Sequence, residues 1–167
     1  MVLLPGVLAL LPEYAGLSDP VAELRAACEK AVGWLEGPVE IVADAQGRRV
    51  AEHLLAAVGS PALEQRDGGE PASYLVVGNG SAKRTEKAPG HLDERAAGFD
   101  AEIGRSLREG RSESLRAIDL GLADELWATA GPLVALGGLP DLGPGETLYD
   151  DDPFGVQYWV MRWTCGS

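Results

Sequence analysis

Histidine is scarce in this chain, with only His53 and His91 among 167 residues. Cysteine is equally scarce, with Cys28 and Cys165 alone. They form no Cys-x-x-Cys pair and no spaced metal set. Cys28 falls in a helical pattern and reads as a small buried apolar group. Nothing in the spacing calls for a disulfide, and a reducing cytoplasm is the expected compartment. Basic residues are outnumbered, 14 Lys and Arg against 26 Asp and Glu, for a net charge of -12. A surface of that sign repels phosphate backbones and anionic lipid, which argues against nucleic-acid and membrane partners. Long apolar runs are missing too. The opening MVLLPGVLALLPEY is broken by Pro5, Gly6 and Pro12, and it has no basic start and no small-residue cleavage site. It reads as a buried strand running into a loop rather than a leader or a membrane span.

What the chain does have is length enough for one domain, residues 1–167, with a core that needs no staples. Strand and helix patterns alternate along it. Residues 1–4 form a first strand, which resumes at 7–11 after the Pro5-Gly6 interruption. Ser18, Asp19 and Pro20 look like a helix start, and residues 20–35 carry an apolar face through Val21, Leu24, Cys28, Ala31, Val32 and Leu35. A short strand follows at 39–43, then a helix at 48–58 and a polar loop over 62–73. The uniformly apolar run Tyr74-Leu75-Val76-Val77 suits a strand covered on both faces. Helices are expected at 91–108, 112–120, 121–130 and 131–139. A loop over 141–152 then leads to an aromatic, alternating last strand over 154–163. This order implies an α/β layered fold with a mostly parallel sheet, whose last strand joins in either direction.

The most informative stretch is YLVVGNGSAKRTEKAPGHLDERAAGFD, residues 74–100. The strand stops at Gly78-Asn79-Gly80-Ser81, and Lys83, Arg84 and Lys87 follow as a basic cluster in an acidic chain. Ligands of open α/β sheets sit beyond the carboxyl ends of strands. Backbone amides of a Gly-rich turn hold anions. The candidate ligand-binding set is therefore Asn79, Ser81, Lys83, Arg84, Thr85 and Lys87, with a small anionic or aromatic ligand. GNGSAKRT is neither a phosphate-binding P-loop nor a dinucleotide fingerprint. The plainer alternative is a tight turn whose basic side chains pair with neighbouring carboxylates.

Other chemistry is thinly supported. A facial triad for iron needs His53, His91 and an acid such as Asp44 or Glu146 to converge, and neither histidine has a motif around it. Ser81 has no partner base and no Gly-x-Ser-x-Gly elbow. The thiols lack electropositive neighbours. The Asp150-Asp151-Asp152 run reads as a solvated loop. A homodimer through Phe154, Tyr158 and Trp163 is an alternative to these aromatics being core.

VVGNGSAKRTEKAPGHLDERAAGFD and the closing LYDDDPFGVQYWVMRW resemble the subunit-B-like domain of class III extradiol ring-cleavage dioxygenases. More narrowly, they resemble its short actinobacterial branch, as does the opening LLPEYAGLSDPVAELRAAC. The resemblance covers about two thirds of the chain and implies a three-layer αβα fold around a mixed sheet. Active members of that family cleave catechol-type rings with Fe(II) held by two His and one Glu, and another His serves as acid and base. Matching through LLPEYAG puts Gly6 where the first ligand stands. Counting from Gly78 puts Arg84 at the acid/base position. The second ligand belongs to a segment that is short here, between Asp44 and Gly47, and the Glu ligand has no assignable counterpart. An Arg cannot act as a base at neutral pH. The resemblance therefore implies a dioxygenase-type scaffold without its iron ligands, with no cofactor expected. Fe(II) enters only if His53 and His91 build a new site.

Overall fold

The computed structural model describes residues 1–14, 16, 18–60, 73–140 and 142–164. Five strands make one sheet: β1 (Val2–Leu4), β2 (Val39–Val42), β3 (Ser73–Val77), β4 (Glu146–Asp151) and β5 (Tyr158–Arg162). Their order is β2-β3-β1-β5-β4. The first three are parallel, with Val2 opposite Leu75 and Ile41 opposite Leu75 on its other side. The strand β5 runs antiparallel to both β1 and β4, so the sheet is mixed and the fold is α/β.

Side-chain alternation sorts the core into two layers, because successive residues of a strand point to opposite faces. Val2, Leu4, Leu75, Val77, Tyr158 and Val160 pack on one face beneath α1 (Ala22–Val32) and α2 (Ala45–Ala57). Met1, Leu3, Val76, Trp159, Met161 and Trp163 pack on the other beneath α3 (Arg95–Glu109), α4 (Ser112–Arg116) and α6 (Gly131–Leu136). A short helix, α5 (Leu120–Glu125), precedes α6. The result is three layers, helix, sheet and helix. Every residue of β1 is fully enclosed, as a strand covered on both faces requires.

Several boundaries differ from the sequence pattern, each for a local reason. Residues 7–11 do not resume a strand but form a 3-10 turn over Leu8–Leu10. The Arg25 guanidinium fixes that turn by donating to the Ala9 and Leu10 carbonyls at 2.7 and 2.9 Å. The helix expected from residue 91 begins at Arg95, because His91 sits in the left-handed region at φ 60. The turn after it is set by the Asp93 carboxylate, which accepts the Arg95 amide.

The loop expected over 141–152 contains β4. Its alternation is hidden by acids, which suit an exposed edge strand. Glu146 and Asp150 pair with Arg162 and Arg108. Tyr158 and Trp163 are buried in the sheet, leaving only Phe154 of that aromatic group exposed. Residues 62–72 of the expected polar loop, and Cys165, lie outside the described residues.

Candidate functional site

At the end of β3, Gly78 extends the parallel ladder by donating its amide to the Leu4 carbonyl. Asn79 then turns across the crevice between β1 and β3. Its Oδ1 accepts the Gly6 amide at 2.8 Å, and Gln46 Nε2 donates to the Gly6 carbonyl at 2.7 Å. The start of α2 closes on the same spot, capped by Asp44, whose Oδ1 accepts the Gly47 amide. A Cβ on Gly47 would stand 2.9 Å from Val77 Cγ1, so α2 approaches β3 as closely as a glycine permits. The crevice beyond β1 and β3 is thus filled by Gly6, Gln46 and Asn79.

The loop next turns inward. Gly80 and Gln157 are tied by backbone bonds, with the Gly80 amide donating to the Gln157 carbonyl and the Gln157 amide to the Ser81 carbonyl. Asp100 of α3 receives both the Ser81 amide, at 2.8 Å, and the Ser81 hydroxyl, at 2.6 Å. Both residues are buried. Burial pushes the Asp100 carboxyl above its ordinary range. The two Ser81 bonds and the Arg84 charge oppose that rise, and the nearby Asp152 adds to it.

Arg84 links this interior to the hairpin between β4 and β5. Its Nε donates to Asp152 Oδ2 at 2.8 Å, and its Nη1 lies 3.7 Å from Asp100 Oδ2. Its amide donates to the Gly155 carbonyl. Gly155 is required at that point, with φ at 69 and the space of its Cβ taken by Ala88 and Thr85 Oγ1, each 2.6 Å away. Lys83 turns the other way, its stem crossing Gly90 and its ammonium standing 5.5 Å from the Trp127 ring centre. The six candidate residues therefore divide. Asn79, Ser81 and Arg84 are committed to internal bonds, and Lys83 lies on an indole. Thr85 and Lys87 face a shallow groove of about 600 Å³, shared with Glu86, Asp152, Pro153, Phe154 and Gly155.

The histidines stand in different settings. His53 on α2 lines a separate hollow of about 210 Å³ with Tyr14, Asp19 and Arg25. His91 precedes α3 in an exposed turn. Among the described residues no three His, Cys, Asp or Glu side chains gather into a metal-holding group. No helix among them is long and apolar enough to cross a membrane.

Asp100, Gln157 and Gly155 carry the site's geometry and were not singled out by the sequence pattern. One signal for Asp100 was present. It sits on the stripe Ala96, Asp100, Ile103, Leu107, and a carboxylate on an otherwise apolar helix face demands partners. Gln157 and Gly155 have no comparable signal, since their roles depend on the β4-β5 hairpin docking against the loop.

No family model matches the chain, and no curated protein matches it.

Proposed function

We propose that this chain is a relative of the class III extradiol ring-cleavage dioxygenases that binds a small anionic or aromatic ligand beside the 78–87 loop without cleaving it. The observation that carries this reading is the groove between residues 85–87 and 152–155. Its lining includes an ammonium, Lys87, a hydroxyl, Thr85, and an exposed aromatic ring, Phe154. A ring ligand would lie against Phe154 and Pro153, and an acidic group on it would meet Lys87.

The positions that the resemblance assigns to iron chemistry do not fit iron. Gly6 offers backbone atoms only, already bonded to Asn79 and Gln46. Arg84 is a cation held by two carboxylates. No oxygen-activating step follows from these residues. The crevice that Gly6, Gln46 and Asn79 fill favours binding in the groove over binding at the strand ends.

Calorimetric titration with 3-phenylpropanoate, benzoate and inorganic phosphate tests the proposal. Binding of the aromatic acids that weakens at least fivefold in Phe154→Ala and in Lys87→Met supports the groove. Binding that both variants leave unchanged removes it.

A further inference from the structure

The groove holds two charges of opposite sign, and neither is paired in an ion pair among the described residues. Glu86 and Lys87 are neighbours in sequence, both exposed, and both line the same surface. They do not pair with each other. The guanidinium beside the groove, Arg84, is engaged with Asp152 and Asp100. Asp152, the other acid of the groove, already gives one carboxylate oxygen to Arg84.

This arrangement is poorly matched to a plain anion. An acid drawn in by Lys87 comes up against Glu86 and the free side of Asp152, and like charges set against each other cost binding. A plain cation meets the reverse problem at Lys87. A molecule with both charges satisfies both walls. Phe154, 45% exposed, and Pro153 supply an apolar floor beside the charged pair.

We infer that the ligand is a small zwitterion with an apolar ring: an ammonium for Glu86 and Asp152, a carboxylate for Lys87 and Thr85, and a ring for Phe154. Free aromatic amino acids are the simplest members of that class. The inference rests on the groove being the site, as proposed above, and it narrows the ligand chemistry there.

Three probes share a ring and differ only in charge: L-phenylalanine, 3-phenylpropanoate and 2-phenylethylamine. Each is titrated against the full chain, followed by amide shifts in NMR so that weak binding is still measured. The expected result is that L-phenylalanine binds about threefold to fivefold more tightly than either half-molecule, because each half lacks one solvent-exposed charge contact. Glu86→Gln should shrink its advantage over 3-phenylpropanoate, and Lys87→Met its advantage over 2-phenylethylamine. Both side chains are exposed, so neither variant threatens the fold. If 3-phenylpropanoate binds as tightly as L-phenylalanine, the zwitterion is overturned and the groove stands. If none of the three shifts residues 85–87 and 152–155, both readings are overturned.

Discussion

Arg84 stands between Asp152, whose Oδ2 it meets at 2.8 Å, and the enclosed Asp100, 3.7 Å away. One guanidinium thereby joins the loop after β3, the hairpin between β4 and β5, and the middle of α3. Removing it leaves a buried carboxylate with the two Ser81 bonds but no opposing charge. Arg84→Ala should lower stability by about 1–2 kcal/mol, a modest figure because the guanidinium is partly exposed. Arg84→Lys should recover only part of that loss, since an ammonium lacks the planar fork that spans two acids. Urea denaturation of the three proteins decides this, and an Arg84→Ala protein as stable as the wild type would contradict it.

Asp100 should leave a signature in the pH dependence of stability. Burial raises its folded-state carboxyl above the unfolded value of about 3.9. The folded protein then holds that proton more tightly than the unfolded chain does. This contribution is complete below the unfolded value and is lost as pH rises through the folded one. Asp100→Asn carries no such proton. The stability advantage of wild type over this variant should therefore shrink as pH is raised from about 4 towards neutrality. Urea melts at several pH values check it, and an advantage that is constant or grows would contradict it.

Gly80 tests how tightly the loop is packed. A Cβ there would stand 2.7 Å from Asp100 Oδ1, 2.7 Å from Gln157 Cβ and 2.8 Å from Trp159. Gly80→Ala should cost about 1–3 kcal/mol by overpacking and should shift the Ser81 amide resonance. Thermal melting that matches the wild type would show that the loop has room to give.

Trp127 presents the opposite situation. It occupies the left-handed position that ends α5, at φ 57, and the residue is 58% exposed. The Ala128 amide donates to Ala123 and the Trp127 amide to Asp124, a helix ending at which glycine is the usual residue. The left-handed conformation costs roughly 1–2 kcal/mol, against about 0.5–1 kcal/mol from the Lys83 ammonium over the ring. Trp127→Gly should therefore be at least as stable as wild type in thermal melts. A clear loss of stability would reveal contacts beyond the Lys83 stacking.

Burial pushes the Cys28 thiol up to about 12. In a Cys165→Ser background, Cys28 should not react with a thiol reagent at pH 8 until the protein unfolds. Rapid labelling of the native protein would contradict its enclosure.

The parallel half of the sheet was readable in the chain because its strands are short, mostly apolar and bordered on at least one side by Gly or Pro. The Val2–Leu4, Val39–Val42 and Ser73–Val77 segments stand within a residue of their expected bounds. The strand β4 was not readable, since an edge strand faces water and its acids mask the alternation. The loop over 78–87 follows β3, as the end of the apolar run at Val77 implied. Its internal division was not visible. Whether a Lys or Arg pairs with a carboxylate or faces a groove depends on residues that are distant in sequence, such as Asp152, which lies 68 positions from Arg84.

The most direct measurement is an amide-shift map of the chain titrated with an aromatic acid. The expected result is a cluster of perturbed resonances at residues 85–87 and 152–155, with Gly6, Gln46 and Asn79 unmoved. Perturbation centred on Gly6 and Asn79, or oxygen consumed with a catechol after Fe(II) is added, would place the chemistry back at the strand ends and contradict the proposal.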